Sequence, residues 1–285
     1  NLDVWEEAGM TPPERYSSWD DVWEDAKKLT QRDDAGNITL AGLSFRNYQS
    51  IQYLCGGILE QGAQYVDEQT GKWDLNTDEA KRTLKEWFWD PFFTHEVDSP
   101  DLPEIHDSLA EGRMALGGIW IDYIPYAKSA FPEGRFGFTM RPGMDGVDPI
   151  VVGEGGWGLS INAATQYPAE ASEFIAYLNR DDVMLQWLQE QHSLPCVHSL
   201  MDNPWFETEE AKFLLPALKT VDGWKWIGPV GNKYAMDDIF LPGLEELSLG
   251  DISVDELADR LSAELTAKVQ SFMDENGYQP GLAGL

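Results

Sequence analysis

Aromatic residues set beside glycine are the strongest sign of chemistry in this chain. Trp120-Ile121-Asp122-Tyr123 follows Gly117-Gly118, and Trp157 stands inside Gly155-Gly156-Trp157-Gly158. A flat indole on a loop whose small neighbours let a ligand come close, with a carboxylate at hand, suits a pyranose. The ring covers the apolar face of the sugar, and the carboxylate accepts its hydroxyls. The same rings packed into a core would leave the same pattern, so the residues alone leave both readings open.

No catalytic constellation accompanies them. GxSxG, HExxH, a P-loop and GxGxxG opening a helix are all absent. His95, His106, His192 and His198 are scattered, and Cys55 and Cys196 form neither a CxxC nor a Cys/His cluster. No metal site, no cofactor and no enzymatic activity are therefore expected, and each cysteine reads as a small buried hydrophobe rather than half of a disulfide. With 50 acidic residues in the chain, any Asp/Glu pair chosen for glycoside hydrolysis would be a chance selection. An enzyme acting on glycans is the rival reading from another class.

The 285 residues carry 50 Asp plus Glu against 20 Lys plus Arg, a formal charge of -30. Such a surface repels nucleic acid and anionic membranes. The acids are spread along the chain (Asp20, Asp21, Glu24, Asp25; Asp181, Asp182; Asp255, Glu256, Asp259), so no single acidic arm explains them. A surface suited to high salt does, because at molar salt the Debye length falls to about 3 Å and removes most of the self-repulsion. Apolar runs such as Gly117 to Ile121 fall short of the ~20 residues needed to span a bilayer. The opening Asn1-Leu2-Asp3-Val4-Trp5-Glu6-Glu7-Ala8-Gly9 reads as a helix inside a domain with its glycine stop, which leads us to expect chain ahead of it.

The elements that must position the aromatic loops follow from caps and periodicity. Ser18 caps a helix through Leu29, with Trp19, Val22, Trp23, Ala26 and Leu29 at packing positions, and Ile38 to Phe45 has strand character. Asn37-Ile38-Thr39 on the intervening turn is a glycosylation sequon, with Asn37 as the acceptor. Helices are expected over 48–65, from Thr77 to Asp90, and just before Gly112; strands over Arg113–Trp120, Arg135–Thr139 and Val151–Ile161. Glycine inside the last of these weakens it unless a ligand or another backbone needs the room. After Pro168 the pattern is helical: Ala169–Leu178, Val183–Gln191, Glu207–Leu218, Pro242–Gly250 and Val254–Asn276. This mixture predicts an α/β protein.

Three blocks together resemble a known family. Asp3-Val4-Trp5-Glu6-Glu7-Ala8-Gly9-Met10, followed by Pro12-Pro13 and Ser18-Trp19-Asp20-Asp21, is similar to "DLFEEAGL…PPKTWDEL". Glu111 to Trp120 is similar to "GKAAM…GPW", and Gly155-Gly156-Trp157-Gly158-Leu159-Ser160-Ile161 with Pro168 to Leu178 to "GGWGLAI…NPEAAWEFLKFL". These are blocks of the ABC-importer extracellular solute-binding proteins of family 1, the maltose-binding type. The resemblance implies a type II periplasmic-binding fold of two lobes with hinge crossings, closing on a solute. Residues 1–150 would form the main part of the second lobe, 151–228 a hinge strand and helical part of the first, and 229–285 a return to the second. It further implies that residue 1 follows the first crossing, so that most of the first lobe's sheet would lie in preceding chain. By position Trp120, Trp157 and Tyr234 would line the cleft, with Tyr48, Asp122, Tyr123 and Gly156 beside them. The implied partners are a carbohydrate and the membrane permease of an importer. The protein would work as a monomer outside the cytoplasm, anchored at the cell surface through upstream chain. Another polar solute, such as glycerol phosphate or a polyamine, is the alternative within the class. Leu194-Pro195-Cys196-Val197-His198 departs from the Pro-Ala-Arg of many relatives.

Overall fold

The computed structural model describes residues 1–47, 49–119, 123–153, 158–208, 211–218, 225–227 and 236–277. Helices α1 (Leu2–Glu7) and α2 (Trp19–Leu29) precede strands β1 (Gln31–Arg32) and β2 (Ile38–Ser44). Helices α3 (Ser50–Glu60), α4 (Asp78–Leu84), α5 (Asp90–Phe93) and α6 (Ile105–Ala110) then lead to β3 (Met114–Gly117). The Ser18 side chain accepts the Asp21 N–H to start α2, whose Val22, Trp23, Ala26 and Leu29 are buried as their spacing predicts. β1 runs antiparallel to β2, and β2 parallel to β3 with Ala41 opposite Met114 and Leu43 opposite Leu116. A parallel pair needs a long crossover, which the helices between β2 and β3 supply.

One predicted helix is interrupted for a covalent reason. Pro91 has no N–H to offer the Trp87 carbonyl and its ring crowds that oxygen, so α4 opens into a π-turn over Lys85–Trp89 before α5. Asp90, buried at the junction, accepts from Lys85 Nζ at 2.7 Å and from the Thr94 hydroxyl at 2.6 Å.

The second half holds α7 (Ile124–Ala130), β4 (Val152–Gly153), α8 (Pro168–Leu178), α9 (Asp181–Gln191), α10 (Leu215–Leu218) and β5 (Lys225–Trp226). β4 and β5 pair in parallel, Val152 opposite Lys225 and Gly153 opposite Trp226. α11 (Leu241–Leu249) and α12 (Val254–Asn276) close the described chain. A capping box of Ser253 and Glu256 starts α12, and Leu257, Leu261, Leu265, Val269 and Met273 bury one face of it. From that helix the Thr266 and Ser262 hydroxyls accept the N–H groups of Trp73 (2.9 Å) and Leu75 (2.8 Å), tying the C-terminal helix to the first half of the chain.

The main core runs from Val4 to Met273 and includes Val152 of β4 and Ile227 just after β5. A separate core, built on Leu188, Leu200, Trp205, Phe206, Leu214 and Leu218, belongs to the chain between those two strands. α8 in this part buries none of its side chains, leaving Phe174 61% and Tyr177 50% exposed. Among the described residues no helix is long and apolar enough to cross a membrane.

Four expectations about elements and burial need correction. Arg135–Thr139 is not a strand: the Arg135 N–H goes to Asp3 Oδ2 (2.9 Å) and its carbonyl accepts from Leu2 (2.7 Å), so α1 takes the bonds a ladder would use. The strand expected over Val151–Ile161 is limited to Val152–Gly153 among the described residues, and Leu159 and Ile161 lie exposed. Glu207–Leu218 breaks into short turns with α10 at its end, because Pro216 is tolerated only in a helix's first turn. Cys55 is buried as expected and both cysteines are free, but Cys196 is exposed.

Candidate functional site

Strand direction decides at which end of each sheet the chain continues toward the aromatic candidates. β2 and β3 are parallel neighbours, so the residues after Ser44 and those after Gly117 leave the sheet at the same end, the carboxyl end. In sequence, Tyr48 comes after the first of these ends, and Trp120, Asp122 and Tyr123 after the second. β4 and β5 are likewise parallel, and Gly156 and Trp157 follow the carboxyl end of β4 as Tyr234 follows that of β5. In open α/β sheets the crevice beyond the strands' carboxyl ends is where ligands bind.

Of the residues expected to touch a solute, the structure describes Tyr123; Trp120, Asp122, Tyr48, Gly156, Trp157 and Tyr234 lie outside the described residues. Tyr123 is half-buried, with its ring edge-on to His106 at 4.0 Å between centroids and 4.7 Å from the ring of Tyr126. Tyr126 is 51% exposed. Together they form an aromatic surface directly after the 120–122 segment, of the kind that covers the apolar face of a sugar. Sequence reasoning did not single out Tyr126 or His106, although Tyr126 lies three positions from Tyr123 at helical spacing. Asn37, the acceptor of the sequon, is exposed, and its side-chain amide donates to Asp33 Oδ2 at 3.0 Å.

A residue outside any motif ties the chain after β2 to the chain after β3. Asn47 is fully buried. Its Oδ1 accepts the Gln49 N–H at 2.6 Å, its own N–H goes to Ser50 Oγ at 2.8 Å, and its Nδ2 reaches the Gly118 carbonyl at 2.9 Å. Ser50 in turn donates to the Phe45 carbonyl. A Cβ on Gly118 would stand 3.0 Å from both the Phe45 and the Tyr53 rings, tighter than ordinary contact. Glycine here lets the backbone pass close to these two rings, where the Gly117-Gly118 pair had suggested close approach of a ligand.

The base of the first loop is fixed by charge. Arg46 donates to the carbonyls of Leu102 (2.5 Å), Ser99 (3.2 Å) and Pro100 (3.4 Å). Beside it Asp98 is 4% exposed; burial pushes its carboxyl above the ordinary aspartate range, and the Arg46 charge opposes that rise. Among the described residues no group of three or more His, Cys, Asp or Glu side chains is placed to hold a metal ion.

The family model for bacterial extracellular solute-binding proteins matches residues 1–214. The chain belongs to this family. Among solved structures, the solute-binding fold is shared with an ABC transporter solute-binding protein of Thermotoga lettingae bound with α-D-tagatose. That pair has a TM-score of 0.72 and 17% identity, over 94% of this chain and 69% of the other. The cyclic α-maltosyl-1,6-maltose binding protein of Arthrobacter globiformis matches at a TM-score of 0.70 and 16% identity, over 95% and 69% of the two chains. UgpB of Mycobacterium tuberculosis, in complex with glycerophosphocholine, matches at 0.68 and 17%, over 97% and 68%. No curated protein sequence matches the chain. In this solute-binding protein, then, the family blocks and the α/β architecture read from the sequence agree with both comparisons.

Proposed function

We propose that this solute-binding protein captures a sugar or oligosaccharide in a cleft between two lobes, delivers it to the permease of an ABC importer, and catalyses no reaction. One observation carries the reading: in sequence, Tyr48, Trp120–Tyr123, Gly156–Trp157 and Tyr234 all follow the carboxyl ends of parallel strands. Trp120, Trp157 and Tyr234 stack on the sugar, Asp122 takes hydroxyls, and Tyr48, Tyr123 and Gly156 complete the wall. Tagatose and the cyclic maltosyl-maltose, the solutes of two proteins with this fold, support the choice of carbohydrate.

The division into lobes is part of the proposal. Residues 1–150 and 229–285 form one lobe, and 151–228 belong to the other. The separate core around Leu188 and Phe206 supports this, as do the exposed rings of Phe174, Tyr177 and Trp187, because an apolar helix face is stable only when it packs on further structure. Closure of the lobes excludes water and strengthens each hydrogen bond to the solute. The exposed Asn37 turn accepts a glycan, which a mass shift on the 37–39 peptide from the native source would reveal.

A second reading is a binder of another polar solute, favoured by the likeness to the glycerophosphocholine-bound structure. The formal charge of -30 weighs against a phosphate and toward a neutral or cationic ligand. A thermal-shift screen of the full-length protein in high salt separates them, since a ligand held only by the native state stabilises it by about 2.7 kcal/mol at a hundred times its Kd. Sugars raise the melting temperature under this proposal. A rise with glycerophosphocholine or a polyamine alone selects the second reading, and turnover of a glycan would overturn both.

A further inference from the structure

Two groups of opposite charge border one small cavity beside Phe45 and Arg46, the residues that follow β2. Phe45, Trp87, Phe88 and Leu244 give it an apolar wall, and Arg46 and Asp98 supply its charges. The centre of a water-sized sphere has about 10 Å³ to occupy there. That is close to the space one water molecule requires.

Neither charge is spent on the other. The Arg46 Nη atoms donate to the carbonyls of Ser99, Pro100 and Leu102, and Asp98 Oδ1 accepts the Ser99 N–H at 2.8 Å. Arg46 Nε and Asp98 Oδ2 are left, both shut off from solvent and both without a hydrogen-bond partner among the described residues. Asp98 as a whole is 4% exposed. Buried polar atoms in native proteins are paired, and ordered water serves where the chain offers nothing. Size and charge then select the occupant. An anion on the guanidinium would face the carboxylate, a cation on the carboxylate would face the guanidinium, and the apolar wall replaces none of the hydration shell that either ion would lose. A water molecule is neutral and both accepts and donates.

We propose that one ordered water occupies this cavity and bridges Arg46 Nε to Asp98 Oδ2. It accepts the guanidinium N–H and donates to the carboxylate, so that both buried charges are satisfied without touching. The bridge completes the set of bonds by which Arg46 holds residues 98–102 against the chain leaving β2. The water is thus a structural part of the base of the candidate site, whichever solute is bound.

A crystal structure of the full-length protein with its ordered solvent tests this. One peak is expected within hydrogen-bond distance of both atoms, about 2.7–3.2 Å, and it should stay free of anomalous signal after soaks in bromide and in rubidium. A cavity without a peak, a direct Arg46–Asp98 ion pair, or an anomalous scatterer at the site each overturn the proposal. Oxygen-17 magnetic relaxation dispersion checks it in solution, where a water held inside the protein exchanges slowly enough to be counted. Asp98→Leu removes the acceptor and brings carbon to the cavity, and it is expected to lower the number of long-lived waters by about one. An unchanged number in the folded variant contradicts the bridge; if Asp98→Leu does not fold, the crystal structure of the parent decides alone.

Discussion

The Asn47 side-chain amide donates to the Gly118 carbonyl at 2.9 Å, across 71 positions of sequence. That bond joins the loop after β2 to the loop after β3 at the carboxyl end of the sheet. Asn47→Ala leaves the part-buried Gly118 carbonyl and the buried Gln49 N–H without their partner, which costs about 1–3 kcal/mol of stability. Solute affinity should fall as well, because both flanking walls lose their common fixture. Chemical denaturation and a titration of the same variant check the two effects together.

Trp120 and Trp157 should each contribute an aromatic anchor. Replacing either with Ala is expected to weaken sugar binding by about 1–3 kcal/mol with little change in unfolding midpoint. Calorimetric titrations indistinguishable from the parent, or a large drop in stability, would return these rings to the core.

Salt should stabilise the fold. With a formal charge of -30, screening of self-repulsion raises the melting temperature as potassium chloride goes from ~0.1 M into the molar range. A midpoint that is flat across that range contradicts the reading of the surface as an adaptation.

Asp98 gives a pH signature. Its carboxyl is pushed above the usual aspartate range by burial, so the folded state holds that proton more tightly than the unfolded chain does. The associated stability is fully present below the unfolded value and is lost as pH rises through the raised folded one. Asp98→Asn removes this loss, so the variant should gain melting temperature over the parent at neutral pH and lose that advantage in acid. Parallel melting curves for the two proteins across pH would refute it.

The parts of this fold that could be read from sequence are those whose cause is local. Ser18, Thr77 and Ser253 cap helices through bonds to residues three positions on, and the buried stripe of α12 repeats within a turn or two. Asn47 and Gly118, Glu60 and Arg141, or Tyr65 and Ile227 leave no such trace, because each pair meets only once the chain has folded. The same holds for Arg135, which bonds to α1 instead of a neighbouring strand. The aromatic candidates at 120, 123 and 157 were chosen for a different reason: glycine beside a ring is a local composition, and the family blocks supplied their order. Tyr126 was missed because it lies on a helix, where a ring at that spacing reads as packing.

Hydrogen exchange of the full-length protein, with and without the sugar giving the largest melting shift, reads where a bound sugar is held. Slowed exchange concentrated together in 45–49, 118–123, 154–158 and 228–235, the four stretches that follow the parallel strands in sequence, is the predicted result. Protection confined to other segments, or none in the presence of any sugar, would contradict the account.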